Sequence, residues 1–514
     1  MDSKDTLNSK RIAKNTLFLY FRTFFVMSVS IYTSRVLLDI LGFEDYGIYN
    51  AVGGFVSMFS LLSGTLTVAT QRFLSFELGK DSYNEKTIFS TAVTIHLILA
   101  ALIFIIFESV GLWFLNAKLN IPNGRLVASN WVYQCSILTF CVNLLSIPYN
   151  AAIIAHERMS AFAYISILEV VLKLAMIYSL TLIDFDHLIV YAVFMLVIAI
   201  ILRLIYSIYC VTCFQNCRYD FSFDYMSFKQ MLSFSGWNFI GSSSAILNTQ
   251  GINILINLFF GVVYNAARGV TDQIGHAINI FVNNFMMAIN PQITKNYAAH
   301  NYAYLNNLIV RGAKYSFFLF WMVALPIYVE ADNIVKIWLK EVPPYTVTFL
   351  KYTIIYSLLQ TFSQTLYAAM LSTGNIKKYQ IVVGTLSLLA FPFTYFFYMS
   401  GLPVDAGYLT TILFSFVCLF ARLFLIREMI PLFTIQQYLK AVIFKSLVIV
   451  SITFTLLRLI HIYIIYTNIW WELIIIVFWA SFVNISIYLV IGMDSIERHY
   501  LYKLIKRKIW RWKS

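Results

Sequence analysis

Apolar runs of about 20 residues recur along the chain from Thr16 to Gly492, and each is long enough to cross roughly 30 Å of hydrocarbon as an α-helix. Their spacing predicts about fourteen membrane-spanning helices, near 16–38, 46–69, 87–110, 131–154, 161–182, 188–212, 230–256, 262–290, 310–329, 346–370, 377–399, 406–427, 438–460 and 467–492. The fold class expected is an all-α integral membrane protein. The first stretch, MDSKDTLNSKRIAKN, is basic like the start of a signal peptide. The apolar run behind it exceeds 20 residues and lacks a small-x-small cleavage site, so it reads as a retained first span.

The pattern also repeats. NAKLNIPNGR and ADNIVKIWLKEVPPY follow the third and ninth spans and read as short segments lying at the outer interface. Tyr49, Asn50, Ala51, Gly54 and Lys80 each recur 215 positions later as Tyr264, Asn265, Ala266, Gly269 and Lys295. Arg203-Leu204 on span 6 is matched by Arg422-Leu423 on span 12. The first twelve spans therefore read as two copies of six, here taken as lobes 1–225 and 226–430, followed by spans 13 and 14 (431–492) and a basic amphipathic tail (493–514). An even number of spans per copy makes the copies parallel, as in transporters whose substrate path lies between two lobes that rock against each other.

Composition sharpens this picture. The chain is 60% hydrophobic, 12% charged and has a mean hydropathy of +0.75, against roughly 25% charged residues in a soluble domain, so a soluble protein is excluded. The formal charge of +13 does not point to nucleic acid, because Lys and Arg collect in alternate loops and in RHYLYKLIKRKIWRWKS, which reads as an interfacial anchor on anionic lipid. The loops on the other side carry Asp39, Glu44, Asp45, Asp184, Asp186 and Asp405, with Lys118, Arg125, Lys336 and Lys340 as exceptions. The positive-inside rule then places both termini in the cytoplasm. Cys210, Cys213 and Cys217 have no fourth Cys or His close by, so they read as reduced thiols; no metal site and no cofactor is expected.

Charges inside spans cost roughly 2.5 to 3.5 kcal/mol each at mid-helix, so they face a cavity or a partner. Arg22 and Arg35 lie on span 1, Glu169 and Lys173 at the middle of span 5, and Arg268 and Asp272 on span 8. Glu169 with Lys173 and Arg268 with Asp272 are i,i+4 pairs that can close locally as structural ion pairs. A dry pair still costs several kcal/mol, which a wetted cavity relieves. Both readings are open. Cations outnumber carboxylates in this set, and guanidinium groups grip phosphate oxygens in bidentate fashion, so Arg22, Arg35, Lys173 and Arg268 are the expected anion-binding groups. Snorkelling to a membrane face competes for Arg35, Arg203 and Arg422. Asn248, Gln250, Asn253, Asn265, Asn283 and Asn284, with Asn279, supply an amide lining for polar cargo, or else hydrogen bonds between helices.

The basic amino end, YFRTFFVMSVSIYTSRVLLDILGFEDYGIYN, TQRFLSFELGK closing the second span and IPYNAAIIAHERM closing the fourth resemble the polysaccharide-biosynthesis flippases. These are the O-antigen and capsule repeat-unit translocases of the multidrug, oligosaccharidyl-lipid and polysaccharide (MOP) superfamily. The resemblance implies a V-shaped transporter in a bacterial inner membrane. It would carry an undecaprenyl-pyrophosphate-linked oligosaccharide to the outer leaflet and work beside the polysaccharide assembly machinery. It also implies that basic residues of spans 1, 2, 7 and 8 line the central cavity, matching Arg22, Arg35 and Arg268, and that spans 13 and 14 receive the polyprenyl tail. Asp272 and Glu169 are the candidate carriers of a coupling H+ or Na+. The rivals are a drug or organic-cation antiporter, which would want unpaired carboxylates, and a flippase for the peptidoglycan precursor. A membrane glycosyltransferase is disfavoured, because the sequence holds no catalytic motif or nucleotide-binding loop.

Overall fold

The computed structural model describes residues 3–57, 60–80, 84–118, 123–221, 223–338, 342–463, 469–494 and 497–498. Helices begin with α1 (Ser3–Ser57), α2 (Ser60–Glu77) and α3 (Glu85–Ile106), which a π-helical turn, Phe107–Gly111, joins to α4 (Leu112–Lys118). They continue with α5 (Leu126–Ala155), α6 (Met159–Leu180), α7 (His187–Cys213), α8 (Tyr225–Phe260), α9 (Val262–Ala298), α10 (Tyr302–Val329) and α11 (Ala331–Trp338). The last are α12 (Thr346–Thr373), α13 (Lys377–Met399), α14 (Ala406–Met429), α15 (Ile435–Tyr438), α16 (Lys445–Tyr463) and α17 (Ile469–Ile487). The described residues contain no strand. The protein is a multi-pass, all-α membrane protein.

The helices follow the apolar runs and overshoot them at polar ends. The connection expected near 39–45 is a tight break at Gly42 (φ 73°, ψ 173°), where two helices meet within the stretch Ser3–Ser57. α8 starts ahead of its apolar run because Asp224 caps it, accepting from the N–H groups of Met226 (3.2 Å) and Ser227 (2.9 Å). Of the two segments expected after the third and ninth spans, ADNIVKIWLKEVPPY begins with the short helix α11, whereas α4 reaches only the first three residues of NAKLNIPNGR, whose residues 119–122 lie outside the described residues.

Two compact units form. The first comprises Met1–Ser243, Met287–Asn301 and Leu371–Lys377. Within it α5 packs on α1, α2, α3 and α7, and α6 packs on α1 and α7. The Tyr133 hydroxyl donates to the Phe107 carbonyl (2.7 Å), satisfying a backbone acceptor at the π-helical turn. Tyr49 meets Tyr191 edge-on at 4.8 Å, over a cluster with Leu37, Leu41, Ile177 and Leu180.

At the start of α5, Arg125 donates through Nε to Asp45 (2.7 Å) and through Nη1 to Asp186 (2.6 Å). Asp186 also caps α7, accepting from the Leu188 N–H. The Asp45 hydrogen bond first, and then the one from Asp186, raise the Arg125 pKa above the ordinary guanidinium value. This explains one of the basic exceptions: two carboxylates of the same acidic loops neutralise it. The side chain of Lys118 lies outside the described residues.

The second unit comprises Ser244–Met286, Tyr302–Met370 and Lys378–Ser514. Its α10 packs on α16 and α17. Tyr264 packs against a cluster that includes Tyr398 and Tyr408. Tyr408 follows Tyr191 by 217 positions as Tyr264 follows Tyr49 by 215, and in each unit the first of these tyrosines packs against a cluster that contains the second. At another edge Lys314 meets Asp494 (3.0 Å) and Glu497 (3.1 Å), Arg311 meets Glu497 (3.2 Å) and Lys445 meets Asp494 (2.8 Å). The rest of the basic tail lies outside the described residues.

Candidate functional site

In the first unit the mid-helix charges of α1 and α6 gather together. Lys173 Nζ donates to Glu169 Oε1 at 2.6 Å, so the i,i+4 pair closes, with both side chains about one-third exposed (32% and 35%). The Arg22 guanidinium lies over the Phe162 ring, 4.7 Å from its centroid. Tyr206 on α7 and Glu169 act on its charge, and its Nε has no hydrogen-bond partner among the described residues. The cluster thus holds two cations and one carboxylate, and that carboxylate is engaged by Lys173. Burying a guanidinium N–H without an acceptor is costly, and an anionic group arriving beside Arg22 would remove that cost. The side chain of Arg35 lies outside the described residues.

In the second unit Arg268 Nε lies 3.8 Å from Asp272 Oδ2, and its guanidinium carbon lies 5.5 Å from the centre of the Tyr408 ring. The Arg268 side chain is 10% exposed and that of Asp272 is 49% exposed. The contact is therefore long, and the carboxylate keeps a free approach. The Thr271 hydroxyl donates to the Arg268 carbonyl (2.9 Å) and lies 3.4 Å from the Tyr408 hydroxyl. Steps of four and three residues put Arg268, Asp272, His276, Asn279 and Asn283 on one face of α9. Along it Asp272, His276 and Asn283 are exposed.

Asn279 is held within the unit, donating to the Gly275 carbonyl (2.9 Å) and to Ser357 (3.1 Å). Asn248 and Asn284 are buried and Asn253 is half-buried. The carboxamide oxygens of Asn248 and Asn253 have no partner among the described residues. The side chains of Gln250 and Asn265 lie outside those residues. His276 and Tyr408 were not singled out from sequence; His276 could have been, since it continues the i,i+4 step beyond Asp272.

A further constellation closes the other end of the first unit. Glu157, just past α5, adopts φ 60° and is buried. Its carboxylate accepts from Lys295 Nζ (2.7 Å) and Gln292 Nε2 (2.6 Å), lies 3.5 Å from Arg11, and its carbonyl accepts from Asn15 (3.1 Å). Gly374 follows Glu157 by 217 positions and also has positive φ, 77°. There Arg72 Nη2 donates to the Ser372 carbonyl (2.9 Å). A Cβ added at Gly374 would fall 2.6 Å from that nitrogen. Within this unit the Glu157 turn is therefore engaged by α9 and the Ser372–Gly374 turn by α2. Between these contacts Gly79, after α2, lies so close to α9 that a Cβ would fall 2.4 Å from the Lys295 carbonyl oxygen.

The cysteines do not converge: Cys210 donates to the Tyr149 carbonyl (3.4 Å), Cys217 to Glu85 (3.6 Å), and Cys213 is exposed. Arg203 stacks on Tyr149 at 3.9 Å, and Arg422 donates to Tyr379 and Ser363, so both repeat-matched arginines have protein partners.

A sequence profile of the family described as polysaccharide biosynthesis protein matches residues 12–297. Among solved structures, an outward-facing multidrug-resistance MATE family transporter of the MOP superfamily is similar at 13% identity. The match covers 83% of this chain and 98% of that one, with a TM-score of 0.67. A MATE structure in the straight conformation is similar at 14% identity, covering 82% and 96%, with a TM-score of 0.68. A MOP superfamily transporter from Pyrococcus furiosus, described by the reverse polarity of its binding pocket, is similar at 13% identity, covering 83% and 98%, with a TM-score of 0.68. No curated protein matches the chain.

Proposed function

The chain belongs to the polysaccharide biosynthesis protein family and has the fold of the MATE transporters, and from that premise we propose that it is a flippase for a lipid-linked oligosaccharide. The cargo is an undecaprenyl-pyrophosphate-linked repeat unit of a surface polysaccharide, carried from the inner to the outer leaflet of a bacterial inner membrane. The observation that carries the reading is Arg22: a guanidinium within the first apolar span, backed by the Phe162 face, with an Nε unpartnered among the described residues and with Glu169 already engaged by Lys173. A pyrophosphate supplies the acceptors it lacks, in the geometry a guanidinium fork matches. Exposed Asn283 and His276 on α9 offer hydrogen bonds to sugar hydroxyls.

Transport follows alternating access between lobes 1–225 and 226–430, with Arg22, Arg35, Lys173 and Arg268 serving the anionic head and spans 13 and 14 taking the tail. The polar groups Asn248, Gln250, Asn253, Asn265, Asn283 and Asn284 serve the glycan. Both termini face the cytoplasm in this scheme, and an inside-negative potential assists outward movement of the anion by about 2.3 kcal/mol per charge per 100 mV. Asp272, half-exposed and only loosely paired with Arg268, is the carboxylate best placed to carry a coupling H+ or Na+, with Glu169 as the second candidate. The same half-exposed carboxylate, together with the fold shared with multidrug transporters, favours a drug antiporter as the second reading.

The test is export of surface polysaccharide by cells whose only copy is Arg22→Ala or Arg268→Ala, with membrane insertion checked by a fluorescent fusion. Both variants insert and lose export, and Lys at either position restores part of it, because the charge survives and the fork does not. Wild-type export by both alanine variants would overturn the reading.

A further inference from the structure

The first unit contains a cavity of about 960 Å³ that touches neither Arg22 nor Glu169. It is bounded by the end of α2, the start of α3, the first turns of α8 and residues 373–377 leading into α13. Among the described residues its charged lining consists of Arg72, Lys80, Lys229 and Lys377 against the carboxylate of Glu77. Lys80 is already claimed, its ammonium 2.5 Å from Glu77 Oε1. Among the described residues that leaves Arg72, Lys229 and Lys377 without a carboxylate partner in the wall.

Arg72 is the informative one. It is 8% exposed, and its guanidinium is sandwiched among the rings of Phe73 (4.6 Å), Phe76 (4.5 Å) and Phe234 (5.8 Å). One nitrogen donates to the Ser372 carbonyl, while Nε has no partner among the described residues. A buried guanidinium clamped by ring faces cannot swing out to water for an acceptor, so the acceptor must come to it.

Around it the wall is built for an oxyanion. Lys377 sits 5.3 Å over the Trp237 ring, which orients its ammonium, and both Lys377 and Lys229 are exposed. The first turn of α13, where free backbone N–H groups and the positive end of the helix dipole lie, begins at Lys377 on the same rim. A tetrahedral phosphate presents several acceptor oxygens and matches one fixed guanidinium edge, two mobile ammonium groups and backbone N–H donors. A carboxylate has two oxygens and would leave most of these donors unused.

We infer that this cavity is a second anion site, binding a phosphate-bearing headgroup at Arg72, Lys229 and Lys377 independently of the Arg22 and Arg268 clusters. The site rests on the flippase reading only for the side of the membrane it faces, the cytoplasmic one. Because Arg72 is also the residue that engages the Ser372–Gly374 turn, an occupied site braces that engagement.

The experiment uses the full-length protein and the variant Lys229→Gln/Lys377→Gln, whose substituted side chains are exposed and leave the fold undisturbed. In detergent, binding of inorganic pyrophosphate is measured by equilibrium dialysis. In nanodiscs, retention of phosphatidylglycerol against a phosphatidylcholine background is measured by mass spectrometry. Wild type is expected to bind, and the double variant to weaken binding at least about tenfold, since several charge-assisted contacts are lost together. Pyrophosphate binding identifies a site open to free phosphate groups. Phosphatidylglycerol retention without pyrophosphate binding identifies a lipid headgroup site. Failure of wild type to hold either probe, or equal affinity in the double variant, overturns the inference. Both measurements are repeated in an Arg22→Ala/Arg268→Ala background, where the transport site no longer contributes to binding of the probe, so loss of export in that background and loss of binding on adding Lys229→Gln/Lys377→Gln are separate results.

Discussion

Replacing Glu157 with Gln removes one charge from a buried knot without changing its shape. The carboxylate is 1% exposed, and two of its donors, Lys295 Nζ and Gln292 Nε2, stand at 2.7 and 2.6 Å. Deleting one member of a buried ion pair costs about 3–5 kcal/mol, because the other charge is left without compensation. Lys295 is 21% exposed and Arg11 59% exposed, so both recover some hydration, and the lower end, about 3 kcal/mol, applies. At 1.4 kcal/mol per tenfold, the α9 end should then separate from the turn about a hundred times more often.

Ala298, 6% exposed and facing Gly79, reports this opening. With Cys213 replaced by Ser, a cysteine at Ala298 is labelled by maleimide only when the seam opens, so its labelling rate should rise about a hundredfold in Glu157→Gln. The variant Glu157→Gly provides the internal control. It loses the same charge but relieves a left-handed backbone that costs a non-glycine residue about 1–2 kcal/mol. Its labelling rate should fall between those of wild type and Glu157→Gln. A Glu157→Gln rate within twofold of wild type would refute the assignment of Glu157 as the knot that holds this seam.

Three further outcomes are expected. Gly374→Ala places a methyl 2.6 Å from Arg72 Nη2 at φ 77°, so it should destabilise the detergent-solubilised protein by at least about 1–2 kcal/mol in chemical unfolding; Ala at Gly64, where a Cβ meets nothing within 4 Å, should cost less. Partial desolvation pushes the pKa of the exposed Asp494 carboxylate up, but hydrogen bonds from Lys445 and then Lys314 outweigh this and lower it. Its contribution is therefore fully present above the unfolded carboxylate value, about 3.9, and is lost as pH falls through the lower folded value. The thermal-stability gap between wild type and Asp494→Asn should be full at pH 7 and close below about pH 4. Asp272→Asn in proteoliposomes should abolish dependence of transport on an imposed H+ or Na+ gradient while leaving the protein folded; unchanged dependence would move that role to Glu169.

Much of the fold could be read from the chain because membrane helices are specified locally. An apolar run and its flanking charges mark each one without reference to distant residues. The Glu169–Lys173 contact was legible for the same reason, since i,i+4 spacing fixes it. The knot at Glu157 was not: AHERM shows only a turn, and its donors arrive from Gln292 and Lys295, more than a hundred positions away. The engagement of Arg72 was not legible either, because its acceptor, the Ser372 carbonyl, is 300 residues distant and belongs to the backbone, which carries no sequence signal. Phe162, Tyr206 and Tyr408 went unnoticed because an aromatic beside an arginine in space is indistinguishable in sequence from any other lipid-grade side chain.

α5 is tethered at its two extremities in contrasting ways. Arg125 and its two aspartates are between 16% and 28% exposed, whereas Glu157 is sealed. Mobile ions at 1 M shrink the reach of accessible charges to about 3 Å and leave sequestered ones nearly untouched. Raising ionic strength should accordingly slacken the Asp45–Arg125–Asp186 strap while the opposite tether holds, which turns plain salt into a selective handle on one extremity of a single helix.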